Sequence, residues 1–303
     1  MHEKCVPYYL CKEDGNIIPR GSFLIDERLD ADGESTVISC PNLEQCCTKG
    51  EDVHDKDRLR EKICGVDSVF HTPEKCGFHN KKGLGGTAES KQGNVIYAQF
   101  AEFPWMTAII VNRNINGTYI PVYQSGGSLI HPRVVLTTAH NLANINTNRL
   151  MVRAGEWDTQ TSNEICPHEE RKVQKVIIHE NFVKANLLDN LQNNLALLIL
   201  NKEFPLSPFI NTVCLPPKNA NFDNQRCLSS GWGKSKFGRS GLFQVFLKKV
   251  ELPVVPHAVC QEMFRKTRLG PDFVLNESFL CAGKIQFETF IAFLCLKNLS
   301  NRW

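Results

Sequence analysis

The sequence predicts an all-β fold, a barrel or sandwich of short strands, behind a small module held by disulfides. Three observations carry this. Val/Ile/Leu-rich runs of strand length recur from residue 102 onward, separated by turn residues. No convincing 3.6-residue periodicity lies between those runs. Thirteen cysteines occur in 303 residues, and five of them fall within the first 47. Such usage suits an oxidising compartment rather than the cytosol.

Residues 1–47 are too short to bury a sufficient core, so their cysteines must staple them, ending in the doublet Cys46-Cys47. "MHEKCVPYYLCK" has no apolar signal region, and the cysteine count is odd. The chain is therefore expected to lack its natural N-terminus. Residues 48–93 read as a linker, with the charge-rich "EDVHDKDRLREK" followed by the turn formers of "KKGLGGTAESKQGN". "GLGG" follows no strand and has no Gly-Lys-Ser/Thr ending, which excludes a phosphate loop. Strands are then predicted in "EFPWMTAIIV", "YIPVYQSGGSLI", "RVVLTTAH", "RLMVRAGEW", "RKVQKVIIHE", "LALLIL", "QRCLSSGWG" and "QVFLKKVELPVV". The formal charge of +3 is too small to argue for nucleic acid or an anionic membrane. The longest apolar run, "FIAFLCL", falls far short of the ~20 residues of a membrane span.

"FPWM", "SGGSLI", "VLTTAH", "RAGEWDTQT", "VCLPP", "SGWGKSKFG", "LKKVELPVV" and "FLCAG" follow one another in this order, and "CVPYYLC" and "CPNLEQCC" precede them. As a set they resemble the clip-domain serine proteases of arthropod haemolymph and their non-catalytic homologues. The resemblance implies a clip domain at 1–47 and a chymotrypsin-like double β-barrel at 94–284, its second barrel incomplete. An unrelated tail follows at 285–303. It also implies the bridges Cys5–Cys40, Cys11–Cys47, Cys76–Cys214 and Cys260–Cys281, with Cys46 left over. Cys64, Cys166, Cys227 and Cys295 receive no partner. A zinc site from Cys64, His71, Cys76 and His79 is the alternative, but the spacing fits no standard pattern. No metal or cofactor is expected.

Peptide hydrolysis in this family needs a serine nucleophile, a histidine base and a buried aspartate that fixes the histidine tautomer. His140, after "VLTTA", matches the base position. "NNLALLIL" places Asn194 where the family has its aspartate. That exchange in a trypsin-family protease lowers turnover about 10⁴-fold. Asp189, five residues upstream, precedes the strand and is set aside. The family's Gly-Asp-Ser-Gly-Gly is expected shortly after "CAG", but the chain runs "KIQFETFIAFLCLKNLSNRW" instead. "SGGS" at 125–128 belongs to a core strand and is no substitute. Ser125 and Asn141 stand where the family carries a bridged cysteine pair. No Arg/Lys-Ile-Val-Gly-Gly activation site precedes "EFPWM". His168, Glu169 and Glu170 fall where some trypsin-like enzymes carry a calcium loop; they are read here as solvated.

The expectation is a secreted, non-catalytic protease homologue in which no catalytic site is intact. The resemblance implies a cofactor role beside other clip-domain proteases in prophenoloxidase activation and melanisation. Neither nucleic acid nor a membrane is an expected partner. Asn116, Asn276 and Asn298 open Asn-x-Ser/Thr sequons, compatible with secretion. One alternative reading is a trypsin-like endopeptidase represented by an incomplete chain. Another is a broken gene model, which the tail at 285–303 suggests.

Overall fold

A computed structural model of the chain describes residues 4–7, 44–47, 64, 75–84, 91–92, 95–115, 117–142, 144–159, 165–182, 191–234, 241 and 243–283. The architecture is β throughout, with a closed six-stranded barrel and an open five-stranded sheet. The barrel comprises β5 (Met106–Ile115), β6 (Thr118–His131), β7 (Val134–Thr137), β8 (Leu150–Ala154), β9 (Glu169–Ile178) and β10 (Ala196–Leu200). All its pairings are antiparallel, and the barrel order is β10-β7-β6-β5-β8-β9. Its interior is filled by the inward residues of each strand, among them Ile109, Leu129, Val135, Val152, Leu198 and Leu200, all fully buried. Strict alternation breaks down in β5, where both Ile109 and Ile110 are buried. The register slips between these two residues, and the outer face of the strand is also covered.

The second sheet is ordered β11 (Arg226–Gly231), β12 (Lys248–Val255), β4 (Val95–Tyr97) and β3 (Lys91–Gln92), with β13 (Cys281–Ala282) also pairing to β12. Trp232 and Leu247 from this half pack with Phe103, Met106 and Ala108 from the entry to the barrel. Trp157 donates to the Ala98 carbonyl at 2.7 Å, and Trp232 donates to the Trp157 carbonyl at 3.2 Å. Each indole N–H thus has a partner across the two halves.

Residues 75–84 clasp the start of the barrel. Asn80 donates to the carbonyls of Ala101 and Pro208, and the Leu84 N–H donates to Phe100. Gly83 turns with φ +64°, and a Cβ there would stand 2.5 Å from that of Gln99. The glycine of "GLGG" therefore serves close packing. Beside the clasp, the buried Glu102 carboxylate takes Lys249 Nζ at 2.8 and 2.9 Å and the Gln99 N–H at 2.8 Å. His79 Nε2 lies 3.2 Å from the same carboxylate.

The sequence reading missed the helix α1 (His257–Arg265) that follows β12 and the short strands β3, β4 and β13, of which β3 lies within the span read as linker. Nine residues with a single buried position, Cys260, give too short a stretch for periodicity to show. At the N-terminal end, β1 (Lys4–Pro7) pairs antiparallel with β2 (Glu44–Cys47), setting Cys5 opposite Cys46. The implied partners Cys11 and Cys40 lie outside the described residues, as do His71, Asn116, Asp189, Cys295, Asn298 and the tail at 285–303. No helix among the described residues is long and apolar enough to cross a membrane.

Candidate functional site

Two strand ends bring His140 and Asn194 together. β7 and β10 pair antiparallel with Thr137 opposite Ala196, so the residues beyond Thr137 meet those before Ala196. Asn193 adopts φ 54°, one of the few non-glycine residues to do so, and turns the chain into β10. Asn194 is completely buried, whereas His140 is exposed. The Asn194 Oδ1 accepts the His140 backbone N–H at 2.8 Å, and Nδ2 stands 2.7 Å from His140 Nδ1.

This geometry dictates the hydrogen-bond polarity. The backbone N–H can only donate, so the oxygen of the carboxamide must face it. The NH₂ is then left against Nδ1, which must accept, and the neutral ring carries its proton on Nε2. A carboxylate at the same place could accept from both groups. Among the described residues His140 Nε2 makes no hydrogen bond, and no serine hydroxyl is placed against it.

"SGGS" lies inside β6. A Cβ on Gly127 would fall 2.6 Å from Val135 and 2.9 Å from the Thr107 hydroxyl, so this glycine serves strand packing. The Ser125 hydroxyl is buried without a partner among the described residues. Asn141 donates to Thr138 Oγ1 at 2.8 Å, and its carbonyl accepts from Gln124 at 3.0 Å. These local bonds hold the loop after His140.

The acidic residues of the next loop stay partly open to solvent but are engaged in ion pairs. Glu169 and Glu170 open β9. Arg153 donates to Glu156 at 2.7 Å and to Glu170 at 3.0 and 2.7 Å, and Glu169 pairs with Arg171 at 2.6 Å. Burial alone would pull the Arg153 guanidinium down, but the charges and hydrogen bonds of Glu156 and Glu170 hold it above its ordinary pKa. Burial lowers the pKa of His168, and the charge of Arg153 acts in the same direction. The carboxylates that could have held a cation are turned onto a guanidinium.

Three disulfides are present among the described residues: Cys64–Cys166, Cys76–Cys214 and Cys260–Cys281. The first joins the linker to the loop before β9, a contact for which the sequence offered no signal. Cys64 and Cys76, bonded to different partners, are not available together as thiolate ligands. Cys227 is a free thiol, its pKa raised by burial.

The sequence profile described as Trypsin matches residues 95–288, and that of the Serine protease Clip domain PPAF-2 matches residues 1–48. Phenoloxidase-activating factor 2 of Galleria mellonella is 48% identical over 215 residues, 69% of this chain and 68% of that protein. Inactive CLIP domain-containing serine protease A28 of Anopheles gambiae is 37% identical over 230 residues, 74% of this chain and 57% of that one. Inactive CLIP domain-containing serine protease A8 of the same species is 36% identical over 280 residues, 92% of this chain and 71% of that one. The chain thus spans between 57% and 71% of the length of these relatives. Barrel, disulfides and both sequence matches agree, and the chain belongs to the trypsin-like serine proteases and homologues that carry an N-terminal clip domain.

Proposed function

We propose that this protein is a secreted, non-catalytic clip-domain protease homologue that assists active clip proteases in prophenoloxidase activation. The observation that supports inactivity is the carboxamide of Asn194 on His140 Nδ1. A base must take the nucleophile's proton on Nε2 and then carry a positive charge that the buried carboxylate stabilises. Here Nε2 is already protonated in the neutral ring, and among the described residues no carboxylate is placed against Nδ1. The names of the relatives, an activating factor and inactive clip proteases, support a role exercised through binding surfaces.

The test adds the secreted protein to an active clip protease and prophenoloxidase, and measures phenoloxidase activity. Activity should rise, and His140→Ala should assist as well as the parent. Assistance that disappears with His140→Ala would refute the reading. So would hydrolysis of an arginyl chromogenic peptide within about tenfold of an ordinary clip protease.

A further inference from the structure

One sequon, Asn276-Glu277-Ser278, lies wholly among the described residues, and the proposed cofactor role does not use it. It sits between α1 and β13, inside the ring closed by Cys260–Cys281. The Asn276 side chain forms an Asx turn, its Oδ1 accepting the Ser278 N–H at 2.9 Å. Its backbone carbonyl accepts the Phe279 N–H at 3.1 Å. Both bonds engage oxygens. The Asn276 Nδ2 makes no hydrogen bond among the described residues, yet is not one of the buried polar atoms left without a partner. Its neighbour Glu277 is largely exposed, with 75% of its side chain accessible.

A sugar on Nδ2 replaces one amide hydrogen and leaves Oδ1 free to keep the Asx turn. The folded loop can therefore carry a glycan without giving up a hydrogen bond. Ser278 has a second task, because its Oγ accepts the N–H of Asn193 at 3.1 Å. Asn193 precedes Asn194, so the sequon loop abuts the loop that holds His140. In the folded protein the sequon hydroxyl thus accepts a backbone N–H and the Cys260–Cys281 ring constrains the loop, both of which favour transfer before they form.

We propose that Asn276 is an N-glycosylation site whose glycan flanks the His140–Asn194 side of the domain, attached in the secretory lumen before this loop closes. The step transfers an oligosaccharide from a polyprenyl-diphosphate carrier. A bond forms between the anomeric carbon and Nδ2, the polyprenyl diphosphate departs, and Nδ2 releases one proton. The proposal rests on the secretory reading given above.

The test delivers the full chain into microsomes behind a cleavable leader. Peptides are then treated with peptide N-glycosidase in heavy-oxygen water and sequenced by mass spectrometry. Heavy aspartate should appear at position 276 in most molecules. It should be lost in Asn276→Gln and Ser278→Ala and kept in Ser278→Thr. Reductant during translation, which delays the Cys260–Cys281 bridge, should maintain or raise the occupancy. An unmodified Asn276 in lumenal parent chain, with and without reductant, overturns the proposal, and this readout does not require the variants to fold. Because the leader fixes the route, that outcome is distinct from failure of the secretory reading. The latter would appear as absence of the protein from the medium of cells expressing the natural gene.

Discussion

The carboxamide of Asn194 has one orientation open to it, because a backbone donor claims its oxygen. The consequence is a ring tautomer rather than a displaced ring, since the His140–Asn194 contact remains at 2.7 Å. In ¹⁵N spectra of the neutral imidazole, Nε2 should carry the proton. Asn194→Asp should move it to Nδ1, since a carboxylate oxygen accepts there. A parent protein already protonated on Nδ1 would mean that the carboxamide is turned the other way. Both positions were legible in the sequence because each flanks a strand with a recognisable run of residues. The polarity of their contact was not, because it depends on a backbone group.

Among the elements, β8 and β9 carry a charge arrangement that no linear motif announces. Arg153 faces Glu170 across the strand pair and reaches Glu156 three residues on. Read along the chain, His168, Glu169 and Glu170 looked like a solvated loop at a place where some relatives carry calcium. Removing the guanidinium leaves the buried Glu156 uncompensated, at a cost of about 3 kcal/mol. Arg153→Ala should therefore melt much earlier than the parent, and calcium should recover part of the loss. The melting temperature of the parent should be indifferent to calcium and chelator, and a strong calcium dependence there would contradict the pairing. His168, beside Glu156, Arg153 and Glu170, adds a pH dependence. Its folded pKa lies below the unfolded value of about 6.5, so the unfolded chain binds more protons in that interval. Its contribution is present above pH ~6.5 and is lost as pH falls towards and through the folded value. Thermal melts between pH 7.5 and 5 should show a decline that His168→Gln flattens, the carboxylates contributing only the remainder.

At the scale of the whole molecule, the barrel was readable because most of its strands contain Val, Ile and Leu stretches bounded by turns. Its closure, and the packing of Trp232 and Leu247 against Phe103, depend on contacts far apart in sequence. The same distance hid Cys64–Cys166, whose partners are 102 residues apart. Each long bridge, Cys64–Cys166 and Cys76–Cys214, contributes about 4–5 kcal/mol on the chain-entropy account, so reduction should lower the unfolding midpoint markedly. The two bridges also govern what a protease can accomplish upstream of the barrel. A cut between 65 and 75 leaves the N-terminal piece bound through Cys64, and a cut between 77 and 94 leaves it bound through Cys76. Nicked protein should run as one species on a non-reducing gel and as two after reduction. Release without reductant after a cut between 65 and 75 would show that Cys64–Cys166 does not hold, and release after a cut between 77 and 94 that neither bridge does. Processing in this region thus yields a two-chain molecule of unchanged mass apart from one water, and any signal it sends must come from a change of shape rather than from a liberated fragment.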